Sequence, residues 1–303
     1  MPKIEIVEVG PRDGLQNEAV MFSTRQKLDL IARAIDAGAR RIEVASFVNP
    51  KLVPQMADAE AVTQGLVKRD GVTYIGLVLN KRGALRAIEA GIDELGAVCA
   101  TTDSFAMRNQ GQSSAESLAM SCDVVRLANQ QGRRGQITIS NAFGCPFDGE
   151  VDPQHVIDMA RVAAAAGPVE ITIADTIGVA SPRDVTDLVA RVKAAIDPLP
   201  VRVHFHNTRN TGLANVWAAV NAGAATVDAS LGGLGGCPFA PRAAGNVPTE
   251  DVVYMLERSG FDTGLDLNRV IEATEWLAGA MGRELPGMLG KAGNFPGELG
   301  RRP

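Results

Sequence analysis

Apolar positions along the chain follow two periods in turn. Short runs rich in Val, Ile and Leu are each followed by a longer segment whose apolar residues recur at the three-to-four spacing of a helix. Six such units run in order: Ile4 to Val9 then Thr24 to Ala37; Arg41 to Ala45 then Pro54 to Leu66; Thr73 to Leu79 then Arg82 to Ala90; Glu94 to Ala100 then Ser114 to Gln131; Gln136 to Ala142 then Pro153 to Ala166; and Glu170 to Ala174 then Pro182 to Ile196. A seventh strand, Val201 to Asn207, precedes a helix from Leu213 to Ala222, and an eighth, Thr226 to Leu231, precedes a glycine-rich loop and a helix from Thr249 to Arg258. Alternating units build parallel sheets, and eight of them in roughly 250 residues is the size of a (β/α)8 TIM barrel. The competing arrangement is an open doubly wound sheet.

Punctuation agrees with these boundaries. Ala-Gly pairs at 37–38, 90–91, 166–167 and 222–223 stand where helices should end, with glycine supplying the left-handed turn. Pro153 and Pro182 suit first-turn positions after the caps Asp152 and Ser181. Asp266 to Gly282 predicts an additional C-terminal helix, followed by a Gly- and Pro-rich irregular tail. The expected organisation is therefore one domain over 1–303, with the barrel at about 3–260 and the extra helix and tail over 261–303.

Composition narrows the function classes. Charges of both signs are interspersed, the net charge is -5 and no basic block occurs, so neither nucleic acid nor an anionic membrane is an expected partner. Met1-Pro2-Lys3 leads straight into a strand, with no room for a targeting peptide, and no apolar run approaches ~20 residues, so a cytoplasmic protein is expected. The four cysteines (Cys99, Cys122, Cys145, Cys237) are far apart and read as reduced thiols.

Candidate chemistry collects at strand ends, where barrels of this kind build their active sites. His204 and His206 alternate on one strand, so both imidazoles face the same side about ~7 Å apart. The third histidine, His155, falls at a helix start and reads as solvated. The loop after the first strand carries Arg12, Asp13 and Glu18; strand two ends in Glu43 and Ser46, strand five in Ser140 and Asn141, and strand six in Asp175 and Thr176. After strand eight come Gly232 to Phe239, including Cys237, and then Gly245-Asn246. Imidazole nitrogens with carboxylate and amide oxygens suit an octahedral divalent ion such as Mg²⁺ or Mn²⁺, with zinc or cobalt as alternatives. The glycine-rich loop has a rival reading as a phosphate cradle, and Cys237 as a small packed residue or as a proton donor or acceptor.

The blocks Val7 to Glu18, Ser46 to Lys51, Asp175 to Gly178, His204-x-His206, and Leu231 to Phe239 with Gly245-Asn246 together resemble the 3-hydroxy-3-methylglutaryl-CoA lyase family, a branch of the metal-dependent lyases and synthases built on TIM barrels. The resemblance runs from Ile4 to about Leu256. It implies that Asp13, His204, His206 and Asn246 hold a divalent cation, that Arg12 lies beside the thioester, that Glu43 is the acidic partner, and that Cys237 is the loop cysteine. Departures occur at Ala19, Thr138, Asn141 and the segment Asn207 to Thr211. They sit near strand ends, where they bear on the acyl group accepted.

The resemblance implies retro-Claisen cleavage of a 3-hydroxyacyl-CoA, with 3-hydroxy-3-methylglutaryl-CoA giving acetyl-CoA and acetoacetate. Arg12 would stabilise the developing enolate, His204 and Cys237 are the candidates for the proton transfers, and Glu43 and Asp175 would position Arg12 and the hydroxyl-bound water. Citramalyl-CoA, a longer branched 3-hydroxyglutaryl-CoA, and the condensing direction are rival readings within enzymes. A non-catalytic barrel that binds metal or thioester is the reading from another class. A homodimer is also expected from the resemblance.

Overall fold

The computed structural model describes residues 1–236 and 245–296. Eight parallel strands close on themselves in the order β1 (Glu5–Glu8), β2 (Arg41–Ser46), β3 (Thr73–Val78), β4 (Glu94–Ala100), β5 (Arg134–Ser140), β8 (Ile171–Asp175), β9 (Val201–Phe205) and β10 (Thr226–Ala229). The last seam pairs β10 with β1, Glu5 opposite Thr226 and Glu8 opposite Ala229. The fold is thus the expected TIM barrel. A two-stranded hairpin, β6 (Gly144–Cys145) and β7 (Gly149–Glu150), sits in the connection after β5.

The helices are α1 (Thr24–Asp36), α2 (Ala59–Gly65), α3 (Lys81–Ala90), α4 (Asp103–Gln110), α5 (Ser114–Gln130), α6 (Pro153–Ala164), α7 (Pro182–Ile196), α8 (Gly212–Asn221), α9 (Thr249–Arg258), α10 (Leu267–Met281) and α11 (Leu289–Ala292). Their starts follow local chemistry. Ser23, Ser113 and Ser181 form capping boxes with Gln26, Glu116 and Asp184, so each satisfies backbone N–H groups that the helix leaves without partners. In α1, Leu30, Ile31, Ala34 and Ile35 form one buried stripe against the strands. A fully buried Leu or Ile contributes roughly 1.5–3 kcal/mol, and most of the apolar core lies in this layer between strands and helices.

Two connections differ from the sequence expectation. The helix expected over 54–66 is split into a short 3₁₀ turn at Pro54–Met56 and α2, because the buried Lys27 ammonium takes both the Gln55 carbonyl and Asp58 between them. Helix α4 was not expected; Thr102 caps it and Gly111 ends it in a left-handed conformation. Helix α10 packs on α1 and α9. Among the described residues no helix is long and apolar enough to cross a membrane.

Inside the strands the barrel is charged. Arg41 on β2 donates to Glu94 of β4 and to Glu170 just ahead of β8, contacts between non-neighbouring strands that cross the interior. Such barrels are ordinarily filled by branched aliphatic side chains. Here these groups form the floor beneath the carboxyl-terminal mouth.

Candidate active site

The loop after β1 is a wide turn in which the N–H groups of Arg12, Asp13 and Gly14 all converge on the Val9 carbonyl, at 3.2, 2.8 and 3.2 Å. Glu8 holds this turn from below. One oxygen accepts from the Gly10 and Leu231 N–H groups at 2.7 and 3.0 Å, and the other from the Thr249 hydroxyl at 2.7 Å. A Cβ at position 10 would lie 2.5 Å from Glu8 Oε1, so a larger residue there would displace the carboxylate that holds the turn. The turn presents Arg12 inward, 9% exposed, with NH1 donating to Asp13 Oδ1 at 2.8 Å and NH2 to Glu43 Oε2 at 2.6 Å.

His204 lies on β9, while the strand ends one residue before His206. His206 is held instead by the chain returning after β10: it bridges to Asn246 in antiparallel fashion, and the Val247 N–H donates to the Phe205 carbonyl at 3.2 Å. This return brings Asn246 across from the two histidines, and its Nδ2 donates to Asp13 Oδ2 at 2.7 Å and to the Leu234 carbonyl at 3.0 Å. One ligand atom each from Asp13, His204 and His206 lies within 4.8 Å of the others.

The residues fit a divalent cation. A carboxylate, two imidazoles and an amide are a suitable mixed donor set, and Asn246 Oδ1 is buried with no hydrogen-bond partner. His204 Nδ1 is tied to Asp228 Oδ2 at 3.0 Å, which turns Nε2 toward Asp13 Oδ2, 3.8 Å away. A carboxylate behind an imidazole in this way fixes the ring and its tautomer, as supporting carboxylates do for metal-binding histidines.

Electrostatics keep the mouth polarised. Burial alone would raise the Asp13 pKa, but the Arg12 guanidinium, the two imidazoles and the Asn246 amide hold the carboxyl well below its usual range. For Glu43 burial wins over Arg12 and the pKa rises. Burial opposes charge on His204, yet the hydrogen bond and charge of Asp228, with Asp13, outweigh it and raise its pKa.

These groups open into a cavity of about 800 Å³. Its floor is polar, with Gln136, Thr138, Arg202 and Asp228; one wall is apolar, with Leu77, Leu79, Val98 and Phe105; and the rim carries Asn49, Asn80 and Arg108. The structure therefore gathers Arg12, Asp13, Glu43, His204, His206 and Asn246. His155 is exposed, its Nε2 3.0 Å from the Thr101 carbonyl.

Asp175 is a correction. Strand alternation sends Ala174 and Thr176 to the cavity and Asp175 away from it, where its oxygens accept from the Val179 and Ala180 N–H groups at 3.0 and 2.9 Å. It shapes the turn into α7, and Arg12 is positioned by Asp13 and Glu43 instead. Asn141 likewise turns aside to donate to Thr101 Oγ1. Cys237 lies outside the described residues. Sequence reasoning missed Glu8, Gln136, Arg202 and Asp228. The two-residue period would have flagged Arg202, since it shares a strand face with His204.

A TIM barrel whose mouth gathers two imidazoles, the Asp13 carboxylate and a buried guanidinium is a site that can hold a divalent cation beside a fixed positive charge. The family model described as HMGL-like matches residues 3–277, and the chain belongs to that family; it is a carbon-carbon lyase. It is 42% identical over 303 aligned residues to the (R)-citramalyl-CoA lyase of Chloroflexus aurantiacus, covering 97% of this chain and 96% of that one. It is 38% identical over 288 residues to a hydroxymethylglutaryl-CoA lyase of Bacillus subtilis, covering 94% and 95%. The structure of an HMG-CoA lyase from Acinetobacter baumannii in complex with coenzyme A and 3-methylmalate superposes with a TM-score of 0.93 at 40% identity, covering 97% of this chain and 96% of that one.

Proposed function

We propose that the protein cleaves 3-hydroxy-3-methylglutaryl-CoA to acetyl-CoA and acetoacetate, using a divalent cation, Mg²⁺ or Mn²⁺, held by Asp13, His204, His206 and Asn246. The observation that carries this reading is the Arg12 guanidinium bonded at 2.8 Å to the same carboxylate that faces both imidazoles. A bound divalent ion would act as a Lewis acid toward the substrate's hydroxyl.

The chain's own residues supply the rest. Arg12 offers a fixed positive charge to the thioester enolate formed as the carbon-carbon bond breaks, and Glu43 keeps that guanidinium from swinging away. His204, its Nδ1 occupied by Asp228, would offer Nε2 to the cation, and would take the hydroxyl proton only by giving up that bond. Reprotonation of the acetyl-CoA carbon requires an acid, for which His204 and Cys237 are the candidates. The acyl-CoA arm leaves past the rim, where Arg108 is the charged lining residue.

A second reading, (R)-citramalyl-CoA as substrate, is favoured by the 42% identity to a lyase of that name. Both reactions release acetyl-CoA, and they differ in the ketone product, acetoacetate or pyruvate. Incubating each thioester with Mg²⁺ or Mn²⁺, with and without chelator, and identifying both products by mass separates them. No acetyl-CoA from either thioester would remove the proposal.

A further inference from the structure

The family's chemistry uses the mouth of the barrel, yet a guanidinium lies beneath it. Arg202 sits on β9 two residues before His204, on the same face, and is 2% exposed. Its Nε donates to Asp228 Oδ1, while Asp228 Oδ2 holds His204 Nδ1 at 3.0 Å, so the two carboxylate oxygens are divided between the two donors. Strand register enforces this, because β10 pairs with β9 with Thr226 opposite Arg202 and Val227 opposite Val203, which sets Asp228 beside His204.

The far side of the guanidinium is anchored as well. Its NH1 lies 3.3 Å from Glu170 Oε1, and Glu170 is itself held by Arg41 at 2.6 Å and by the Thr226 hydroxyl at 3.1 Å. A planar guanidinium can face two carboxylates at once; an ammonium is a single point. The chain of contacts therefore runs from the barrel floor through Glu170, Arg202 and Asp228 to His204.

We infer that Arg202 is a positioning residue: clamped by Glu170, it holds the Asp228 carboxylate in the rotation that aims His204 Nε2 into the cation site. The inference rests on the metal site proposed above. Without Arg202, Asp228 Oδ1 loses its partner and the carboxylate is anchored only through His204 itself, so the imidazole loses its fixed direction. The charge of Arg202 by itself acts in the opposite sense, since a cation beneath the site repels a second cation. The two effects have opposite signs and can be separated.

The test is Mn²⁺ binding to the chelator-treated full-length protein, by calorimetry and by the loss of the free-ion electron paramagnetic resonance signal. Arg202→Met is expected to weaken binding by up to about 10-fold, the lower end of the cost of removing a direct partner of a metal-bound histidine, because Arg202 acts through Asp228. Arg202→Lys keeps the repelling charge but lacks the fork that faces both carboxylates, so its Mn²⁺ binding should also fall below that of the unaltered protein. Should Arg202→Met fold poorly by circular dichroism, Arg202→Met with Glu170→Gln removes one charge of each sign and carries the same expectation. Equal or tighter Mn²⁺ binding in a folded Arg202→Met or double variant overturns the inference. Failure of the unaltered protein to bind Mn²⁺ overturns the metal site itself, a separate outcome.

Discussion

Replacing Arg12 by Gln removes the guanidinium that bridges Asp13 and Glu43. Its cost to catalysis can be set from the geometry. A preorganised donor aimed at developing charge contributes about 10²–10³ in rate when neutral, and a buried full charge more, so kcat should fall at least about 10³-fold, or about 4 kcal/mol. The cost to stability is smaller than the ~3–5 kcal/mol of breaking a buried pair, because the Gln amide keeps one donor and the raised pKa of Glu43 lets that carboxyl take up a proton. Arg12→Lys should fall between the two, since one ammonium cannot span bonds of 2.8 and 2.6 Å to separate carboxylates as the fork does. The informative measurement is a double-mutant cycle with Glu43→Gln, following acetyl-CoA release at saturating thioester. If Glu43 works through Arg12, the double variant is no slower than Arg12→Gln alone. Multiplying penalties, or an Arg12→Gln variant within about tenfold of the unaltered enzyme, would refute the reasoning.

Asp13→Ala should abolish calorimetric Mn²⁺ binding while leaving the far-ultraviolet circular dichroism unchanged, and retained binding would dismantle the proposed ligand set. Gly10→Ala drives a methyl to 2.5 Å from Glu8 Oε1; unfolding in urea should register about 1–3 kcal/mol of overpacking, together with a fall in activity as the Arg12 turn shifts. Glu250 concerns pH. Burial raises its pKa from 4.5 to about 8, so the folded state holds the proton more tightly than the unfolded chain; its stabilising contribution is complete below pH 4.5 and is lost as pH rises through about 8. Urea midpoints should therefore show the protein losing up to about 1.4 kcal/mol per pH unit across that window relative to Glu250→Gln, and parallel profiles for the two proteins would contradict this.

The barrel was legible because its signal is repetitive: eight strand and helix alternations with Ala-Gly stops at matching places. At the mouth, the strand alternation of His204 and His206 was legible from spacing, whereas Arg12, Asp13 and Asn246 lie in loops and were singled out by the blocks that resemble the lyase family. What escaped lies where a linear pattern carries less information. Asp175 occupies a strand end but has the wrong parity, and its carboxylate is consumed by two N–H groups of the following turn. Helix α4 buries only Phe105 and Ala106, too little for an amphipathic stripe, and depends on the Thr102 cap. The floor residues Arg41, Glu94, Glu170 and Asp228 look like surface charges near strand starts until the sheet closes and makes their side the inside.

That floor bears on how stability and function are divided in this fold. Buried ion pairs rarely stabilise a protein relative to well-packed apolar residues, because desolvation offsets most of the attraction. Among the described floor groups, Arg41 and Arg202 face Glu94, Glu170 and Asp228, leaving an excess of negative charge with Asp228 directly behind His204. Arg134, reaching in to Glu94 at 3.1 Å with its side chain half exposed, offsets that excess at the end far from the histidines. Stability must then come chiefly from the aliphatic layer between strands and helices, where Leu30, Ile42, Val44, Val185, Val189 and Val203 are wholly or almost wholly buried. The interior is thereby released from packing as its main task and can hold oriented charge under the mouth. A neutral aliphatic filling would fold as well, but it could not fix which nitrogen of His204 faces Asp13.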